Sequence, residues 1–275
     1  MLNSAEIKTQ LFEALKSKYG HREAENIAAY YLDAYRDRIS DDQLTRKKLS
    51  NDIELLLDDT PIQYLTQTSF FYGHRFYVDS NVLIPRAETE ELVHWVISDY
   101  KRSNKELTLL DIGTGSGCIL LSICKAIPNV TGTALDISSE ALSVLAVNAE
   151  RLGIANTSAL CIDVLKDDLS DVDQTYDIIV SNPPYILMKE LGRVGQNVMG
   201  IEPEEALFVH GKDPLVFYER ILKLSQSKLK PDGCLYFETS DLYHEQMVEM
   251  VQKYTSTYEF RRDLQGNWRM LKVQF

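Results

Sequence analysis

The hydrophobic spacing changes once along the chain. Up to about residue 60, apolar residues recur three and four positions apart, the period of one helix face. Ile7, Leu11, Ala14 and Leu15 form one stripe, and Ala24, Ile27, Ala28, Tyr31, Leu32 and Tyr35 form a second. Leu49, Ile53, Leu56 and Leu57 form a third. The pattern predicts helices here, with Ser4 capping the first and Gly20 ending it in a left-handed conformation. Pro61 and Gly73 mark a transition, and the loose alternation from Phe70 to Leu83 predicts a short hairpin. Glu88 to Ser98 returns to helical spacing through Leu92, Val93 and Val96.

From about residue 107 the pattern becomes strand, turn, helix, repeated. Leu109 to Ile112, Thr133 to Asp136, Ser158 to Ile162 and Asp177 to Val180 read as short buried strands. Helices are expected from the glycine turn to about Ile127 and from Ser138 to about Leu152. Asp213-Pro214 has the composition of a helix start, an Asp cap with Pro at the first helical position. Pro231-Asp232-Gly233 ends that helix before a strand at Cys234 to Phe237, and two more strands flank Gly266. The expected fold class is α/β: a mostly parallel sheet with helices on both faces. The expected division is a helical domain at 1–70, a hairpin linker at 71–90 and the α/β domain at 91–275.

Charge narrows the partners. The 275 residues carry a net charge of -12. Residues 1–80 hold 13 acids and 10 bases, so both parts are acidic. A nucleic-acid-binding surface needs basic residues to displace counterions from phosphates, which disfavours that class. The Arg46-Lys47-Lys48 triplet reads as a solvated helix face. Cys118, Cys124, Cys161 and Cys234 form no Cys-x-x-Cys pair, sit in apolar runs, and read as reduced core residues. The five histidines have no metal-ligand spacing. Without a basic-then-apolar opening or a membrane-length apolar run, a cytoplasmic protein is expected.

Asp111-Ile112-Gly113-Thr114-Gly115-Ser116-Gly117 lies between a strand and a helix. Such glycines permit a tight turn and close approach of a ligand to the backbone, and ligands of open parallel sheets bind beyond the carboxyl ends of strands. Asp136 closes the next strand, where its carboxylate can accept from both hydroxyls of a ribose. A nucleoside triphosphate is disfavoured because no Lys-Ser or Lys-Thr follows the glycines. NAD is disfavoured because Cys118 stands where the third glycine belongs. S-adenosylmethionine, which has no pyrophosphate, fits better; a plain packing turn is the alternative.

The strand at Asp177 to Val180 runs through Ser181 into Asn182-Pro183-Pro184-Tyr185. Two prolines remove backbone donors and fix φ, so the carbonyls of Asn182 and Pro183 are held rigidly. With the Asn182 side-chain oxygen they can receive both hydrogens of a planar NH2, while Tyr185 offers a flat face beside it. An amide nitrogen is a weak nucleophile, but a sulfonium methyl is already activated. Orientation and preorganised acceptors can then supply most of the rate gain.

These motifs resemble those of amino-methyltransferases that modify exocyclic nitrogens. More specifically, the chain resembles the peptide chain release factor glutamine methyltransferases. That resemblance rests on Pro61-Ile62-Gln63-Tyr64-Leu65, on Phe71, Gly73, Phe76 and Val78, and on Val82 to Glu90. It continues through Glu202-Pro203, Ala206-Leu207 and Asp263-Leu264-x-Gly266. The resemblance implies a Rossmann-like class I S-adenosylmethionine methyltransferase domain beside a small helical domain that docks the release factor. The expected cofactor contacts are Asp111, Gly113, Thr114, Gly115, Ser116, Gly117, Asp136, the Asp163-Val164 pair and Asn182. Substrate and catalytic positions fall at Asn182, Pro183 and Tyr185, with Pro184 also on the substrate side.

The substrate implied is the glutamine of the release factors' Gly-Gly-Gln loop, methylated by a monomeric enzyme. Departures from the family pattern occur at Ala87, at Val209-His210-Gly211 and at Glu238-Thr239-Ser240. Arg86 and Glu88 are expected to pair with each other at a helix start. Competing readings are a glutamine methyltransferase of a ribosomal protein, an adenine-N6 methyltransferase, which needs a basic base-flipping surface, and a non-catalytic module that retains the fold.

Overall fold

A computed structural model describes residues 3–35, 46–170, 172–193 and 201–275. Four helices come first: α1 (Ser4–Tyr19), α2 (His21–Ala34), α3 (Arg46–Leu57) and α4 (Ile62–Thr66). They share a core of Ile7, Leu11, Leu15, Ile27, Tyr31 and Leu56, the stripes visible in the sequence. The cap of α1 is Asn3 rather than Ser4. Its side chain accepts from Glu6 N–H at 2.9 Å while Glu6 accepts from Asn3 N–H at 3.0 Å, a reciprocal box that Ser4, already in the helix, cannot make. Gly20 does separate α1 from α2, but with φ 80° and ψ 169°, an extended glycine conformation rather than a left-handed helical cap. The basic triplet is not uniformly solvated. Lys48 lies 2.7 Å from the buried carboxylate of Asp52, which also accepts from Tyr31 OH at 2.6 Å.

The hairpin is shorter than expected: β1 (Ser69–Phe71) and β2 (His74–Phe76) pair antiparallel, and the backbone from 77 to 86 is irregular. Val78 and Val82 pack with Tyr64 and Tyr77 against Ala141 and Val144. The elements that follow are α5 (Ala87–Tyr100), β3 (Leu107–Ile112), α6 (Cys118–Ala126), β4 (Val130–Asp136), α7 (Ser139–Leu152), β5 (Thr157–Cys161), β6 (Tyr176–Ser181), β7 (Ile186–Leu187), α8 (Glu204–Leu207), β8 (Phe208–Val209), α9 (Val216–Lys228), β9 (Leu229–Glu238), α10 (His244–Val251), β10 (Thr257–Arg262) and β11 (Trp268–Gln274). Asp213 does not cap α9. Its carboxylate accepts from Leu215 N–H at 2.9 Å in the preceding turn, and the helix starts later. Pro231 to Gly233 lie within β9 as a bulge: Tyr176 pairs with Leu229, and the next paired residues are Ile178 and Cys234.

Seven strands form one sheet in the order β10-β11-β9-β6-β3-β4-β5, with β11 antiparallel to both its neighbours and the other pairs parallel. Alternate residues face opposite sides, as a strand requires. Leu109, Ala134, Ile178, Val180 and Tyr236 join a core with α5, α6 and α7. Leu110, Leu135, Ile179, Leu235 and Phe237 join another with α9 and α10. Helices therefore cover both faces. Of the four cysteines, Cys124 and Cys234 are buried as expected, whereas Cys118 is half-buried and Cys161 exposed. No helix among the described residues is long and apolar enough to cross a membrane.

Arg86 does not pair with Glu88. It precedes α5 in extended conformation, and a residue two positions on in a first turn does not face it. Its guanidinium instead donates at 2.6 Å to Glu202, whose second oxygen accepts from Ile84 N–H at 3.2 Å. This pair ties the segment leading into α5 to the one preceding α8. Arg86→Ala leaves the Glu202 carboxylate buried beside a single N–H. It should lower unfolding free energy by about 2 kcal/mol, below the usual loss for a fully buried pair because Arg86 is partly exposed. Urea unfolding checks this, and adding Glu202→Gln should recover part of the loss.

Candidate active site

Strand register builds the site. Ile112 pairs with Leu135 on β4 and with Ser181 on β6, and Ser181 pairs with Phe237 on β9. The next residues are Gly113, Asp136, Asn182 and Glu238. Four adjacent strands therefore deliver these residues to one edge, at the usual spacing of about 4.8 Å per strand. Ser181 OH fastens the edge by donating to Ile112 C=O at 2.6 Å.

The chain leaves β3 through Gly113 (φ 74°), Gly115 (φ 53°) and Gly117 (φ 78°). All three conformations are strained for other residues, but the surroundings differ. A Cβ on Gly113 or Gly115 would meet nothing within 4 Å, so those positions face open space. A Cβ on Gly117 would lie 2.9 Å from Leu145, so that glycine serves the packing of α6 on α7. Gly115 N–H donates to Asp136 at 2.8 Å, and Ser138 N–H donates to its other oxygen at 3.0 Å. Burial raises the Asp136 pKa against these two donors. Its carboxylate retains lone pairs for a diol.

Asp111 lies beneath the turn, fully buried. One oxygen accepts from Thr114 OH at 2.7 Å, and the other has no hydrogen-bond partner. Burial pushes its pKa up to about 7. An incompletely paired carboxylate under a glycine cradle attracts a cation above it, and S-adenosylmethionine carries both an ammonium and a sulfonium. The cradle, the diol acceptor and this acid suit that cofactor. Thr114, Ser116 and Gly117 are buried, so they shape the cradle rather than face outward, and Val164 is buried in the core on the α9 side of the sheet. Asp163 is engaged locally: Lys166 lies 2.7 Å from its carboxylate and Leu165 N–H donates to it at 3.0 Å.

On the other side of the edge, Asn182 Nδ2 donates to Thr89 OH at 3.4 Å, and Thr89 OH donates to Glu238 at 2.5 Å. Glu238 is buried, which pushes its pKa up to about 7, and Tyr218 OH donates to its backbone carbonyl at 3.1 Å. Tyr185 packs against the α9 side of the sheet, where burial raises its phenol pKa. Pro183 is buried and Pro184 half-buried.

The sequence motifs give no role to Thr89, which lies within the Val82 to Glu90 stretch, or to Asn148. The Asn148 amide, fully buried, accepts from Tyr77 N–H at 2.6 Å and donates to the carbonyls of Tyr77 and Ser116, both at 2.9 Å. It thereby locks the segment after β2 to the glycine turn. An Asn on the apolar face of a helix was the available signal. A cleft of about 710 Å3 opens between α5 and β10–β11, lined by Glu88, Trp95 and Leu264 among others. Neither the glycine turn nor Asn182 lines it.

This edge, with its glycine cradle, terminal acid and Asn-Pro-Pro-Tyr turn, defines a Rossmann-like class I S-adenosylmethionine methyltransferase. Residues 103–272 match the family model of a methyltransferase domain. The release factor glutamine methyltransferase of Flavobacterium psychrophilum is 38% identical over 98% of both chains. That of Bacteroides thetaiotaomicron is 42% identical over 75% of this chain and 73% of its own. A ribosomal protein L11 methylase from Lactobacillus delbrueckii shares the fold, with a TM-score of 0.50 at 21% identity over 72% of this chain and 83% of that one. The chain belongs to the release factor glutamine methyltransferase family.

A carboxyl whose folded-state pKa lies above its unfolded value favours folding while neutral. Its contribution is whole below the ordinary range near 4 and is lost as pH rises through about 7. Asp111→Asn, neutral throughout, should therefore gain stability relative to the parent chain as pH rises from about 5 to about 8, by about 1–3 kcal/mol. Paired urea titrations of the ligand-free proteins give this difference, in which the oppositely acting His244 cancels. A difference independent of pH would place the Asp111 titration outside that window.

Proposed function

We propose that this protein transfers a methyl group from S-adenosylmethionine to the side-chain amide nitrogen of the glutamine in the Gly-Gly-Gln loop of peptide chain release factors, giving N5-methylglutamine. The observation that carries the reading is the pairing of Ile112 with Ser181. It sets the Asn182-Pro183-Pro184-Tyr185 turn beside the glycine cradle in a chain of this family.

The bound cofactor supplies an electrophilic methyl on a sulfonium. Gly113 and Gly115 admit its amino-acid part, with Thr114, Ser116 and Gly117 shaping the turn, and Asp111 favours its positive charge from below. Asp136 receives the ribose hydroxyls, and the Asp163-Val164 segment with Asn182 bounds the remaining contacts. Asn182 and Pro183 accept the two hydrogens of the glutamine NH2, and Tyr185 and Pro184 flank the planar amide. Fixed acceptors favour the positive charge that develops on nitrogen as the methyl arrives.

Residues 1–70 dock the release factor, 71–90 connect, and 91–275 catalyse. The enzyme works as a monomer in the cytoplasm, without nucleic acid; the acidic balance of the chain supports that last point.

Labelled S-adenosylmethionine should label a purified unmethylated release factor but neither its Gln→Ala loop variant nor unmethylated DNA. Label on DNA alone would move the substrate to adenine, and label on a ribosomal protein alone would move it there. Asn182→Ala should lower turnover about a hundredfold or more with nearly unchanged cofactor affinity. Asp136→Ala should chiefly weaken cofactor binding, read by calorimetry. An unchanged dissociation constant removes Asp136 from the cofactor site.

A further inference from the structure

The hydrogen bonds behind Asn182 have a direction. An ionised Glu238 has no proton to give, so its 2.5 Å bond with Thr89 is donated by the Thr89 hydroxyl. A threonine hydroxyl has one proton. With that proton on Glu238, the oxygen presents lone pairs alone to Asn182, which lies 3.4 Å away. Asn182 can answer only with its NH2, and Oδ1 at the other corner of the planar amide then turns away from Thr89. The two flips of an asparagine amide are nearly the same shape, so packing alone does not choose between them. A chain of one acceptor, one hydroxyl and one amide does.

We propose that Thr89 is a positioning residue for methyl transfer: it takes its direction from Glu238 and holds the Asn182 amide so that Oδ1 meets the substrate NH2. This rests on the reading that Asn182 receives the glutamine amide. In the opposite flip, NH2 faces NH2 and the acceptor is lost. Fold elements hold both ends of the relay. Thr89 stands in the first turn of α5, and Glu238 ends β9 one residue beyond the Phe237–Ser181 pair.

The groups that face Glu238 are Arg86 and Glu88 from the start of α5, Cys118 from the start of α6, Arg269 from β11, Tyr185 beyond β6 and Tyr218 from α9. Burial and Glu88 oppose its charge, while Arg269 and Arg86 favour it. A protonated Glu238 can donate to Thr89 and free the hydroxyl to reverse the amide. Turnover should therefore fall as pH drops through about 7.

The test uses the full chain, labelled S-adenosylmethionine and a purified unmethylated release factor. Thr89→Val keeps the shape and removes the hydroxyl. It should lower kcat about tenfold, leave KM for the release factor and Kd for the cofactor within about twofold, and weaken the acid limb of the pH profile, leaving the part that belongs to Asp111. Thr89→Ser should restore kcat to within about threefold of the parent chain. Added to Asn182→Ala, Thr89→Val should cause no further loss, because the two act as one unit. Thr89→Ala provides a second hydroxyl-free variant, and cofactor Kd reports that each variant is folded. Parental kcat in both hydroxyl-free variants, with Asn182→Ala still severely impaired, overturns the relay and leaves the Asn182 reading standing. Full additivity in the double variant also overturns it. Parental turnover in Asn182→Ala removes the underlying reading itself.

Discussion

The parallel register of β4, β3, β6 and β9 is the constraint on which the site depends. Each strand alone is an unremarkable apolar run, and the polar residue after it has no evident partner in the sequence. Pairing Ile112 with both Leu135 and Ser181, and Ser181 with Phe237, makes four distant residues neighbours at one edge. A slip of one residue in β6 would turn its side chains to the opposite faces and move Asn182 along the edge. The apolar residues of β6 resist that slip, since Ile178 and Val180 belong to one core and Ile179 to the other.

Much of this was legible in the sequence because it depends on local geometry. The helical stripes, the alternating strands, the glycines with positive φ and the Asn-Pro-Pro-Tyr turn all follow from periods and backbone preferences that act within a few residues. What the sequence hid are contacts between distant segments. Arg86 pairs across 116 positions with Glu202 rather than with nearby Glu88, and Thr89 reaches Glu238 across 149. No local rule reports such a partner. Helix starts were misplaced for a related reason. Asn3 and Ser4 are both acceptable caps, as are Asp213 and the turn after it, and the side-chain bonds that decide between them appear only once the backbone is set.

Two of the pattern's departures also gain a physical account. Ala87 opens α5 without the φ restriction of proline, and Arg86 before it stays extended with its side chain on Glu202. Thr239, beside Glu238, keeps its backbone in the sheet edge: its N–H donates to Arg269 C=O at 2.7 Å. His210 is exposed just beyond β8, which pairs with β7.

The buried acids explain why this edge suits transfer of a cationic methyl. Asp111 and Glu238 sit behind the cradle and behind Asn182, each disfavoured as a charge by burial and each held by a threonine hydroxyl. Such carboxylates destabilise the ligand-free protein, so their presence on β3 and on β9 is a local conflict of the kind functional sites retain. A positive charge placed between them relieves part of that conflict. In the proposed reaction the bound cofactor would bring such a charge to the edge that Asp111 and Glu238 back. Both acids are fixed by the fold before any ligand arrives, so the electrostatic contribution they make is in place before the reaction begins.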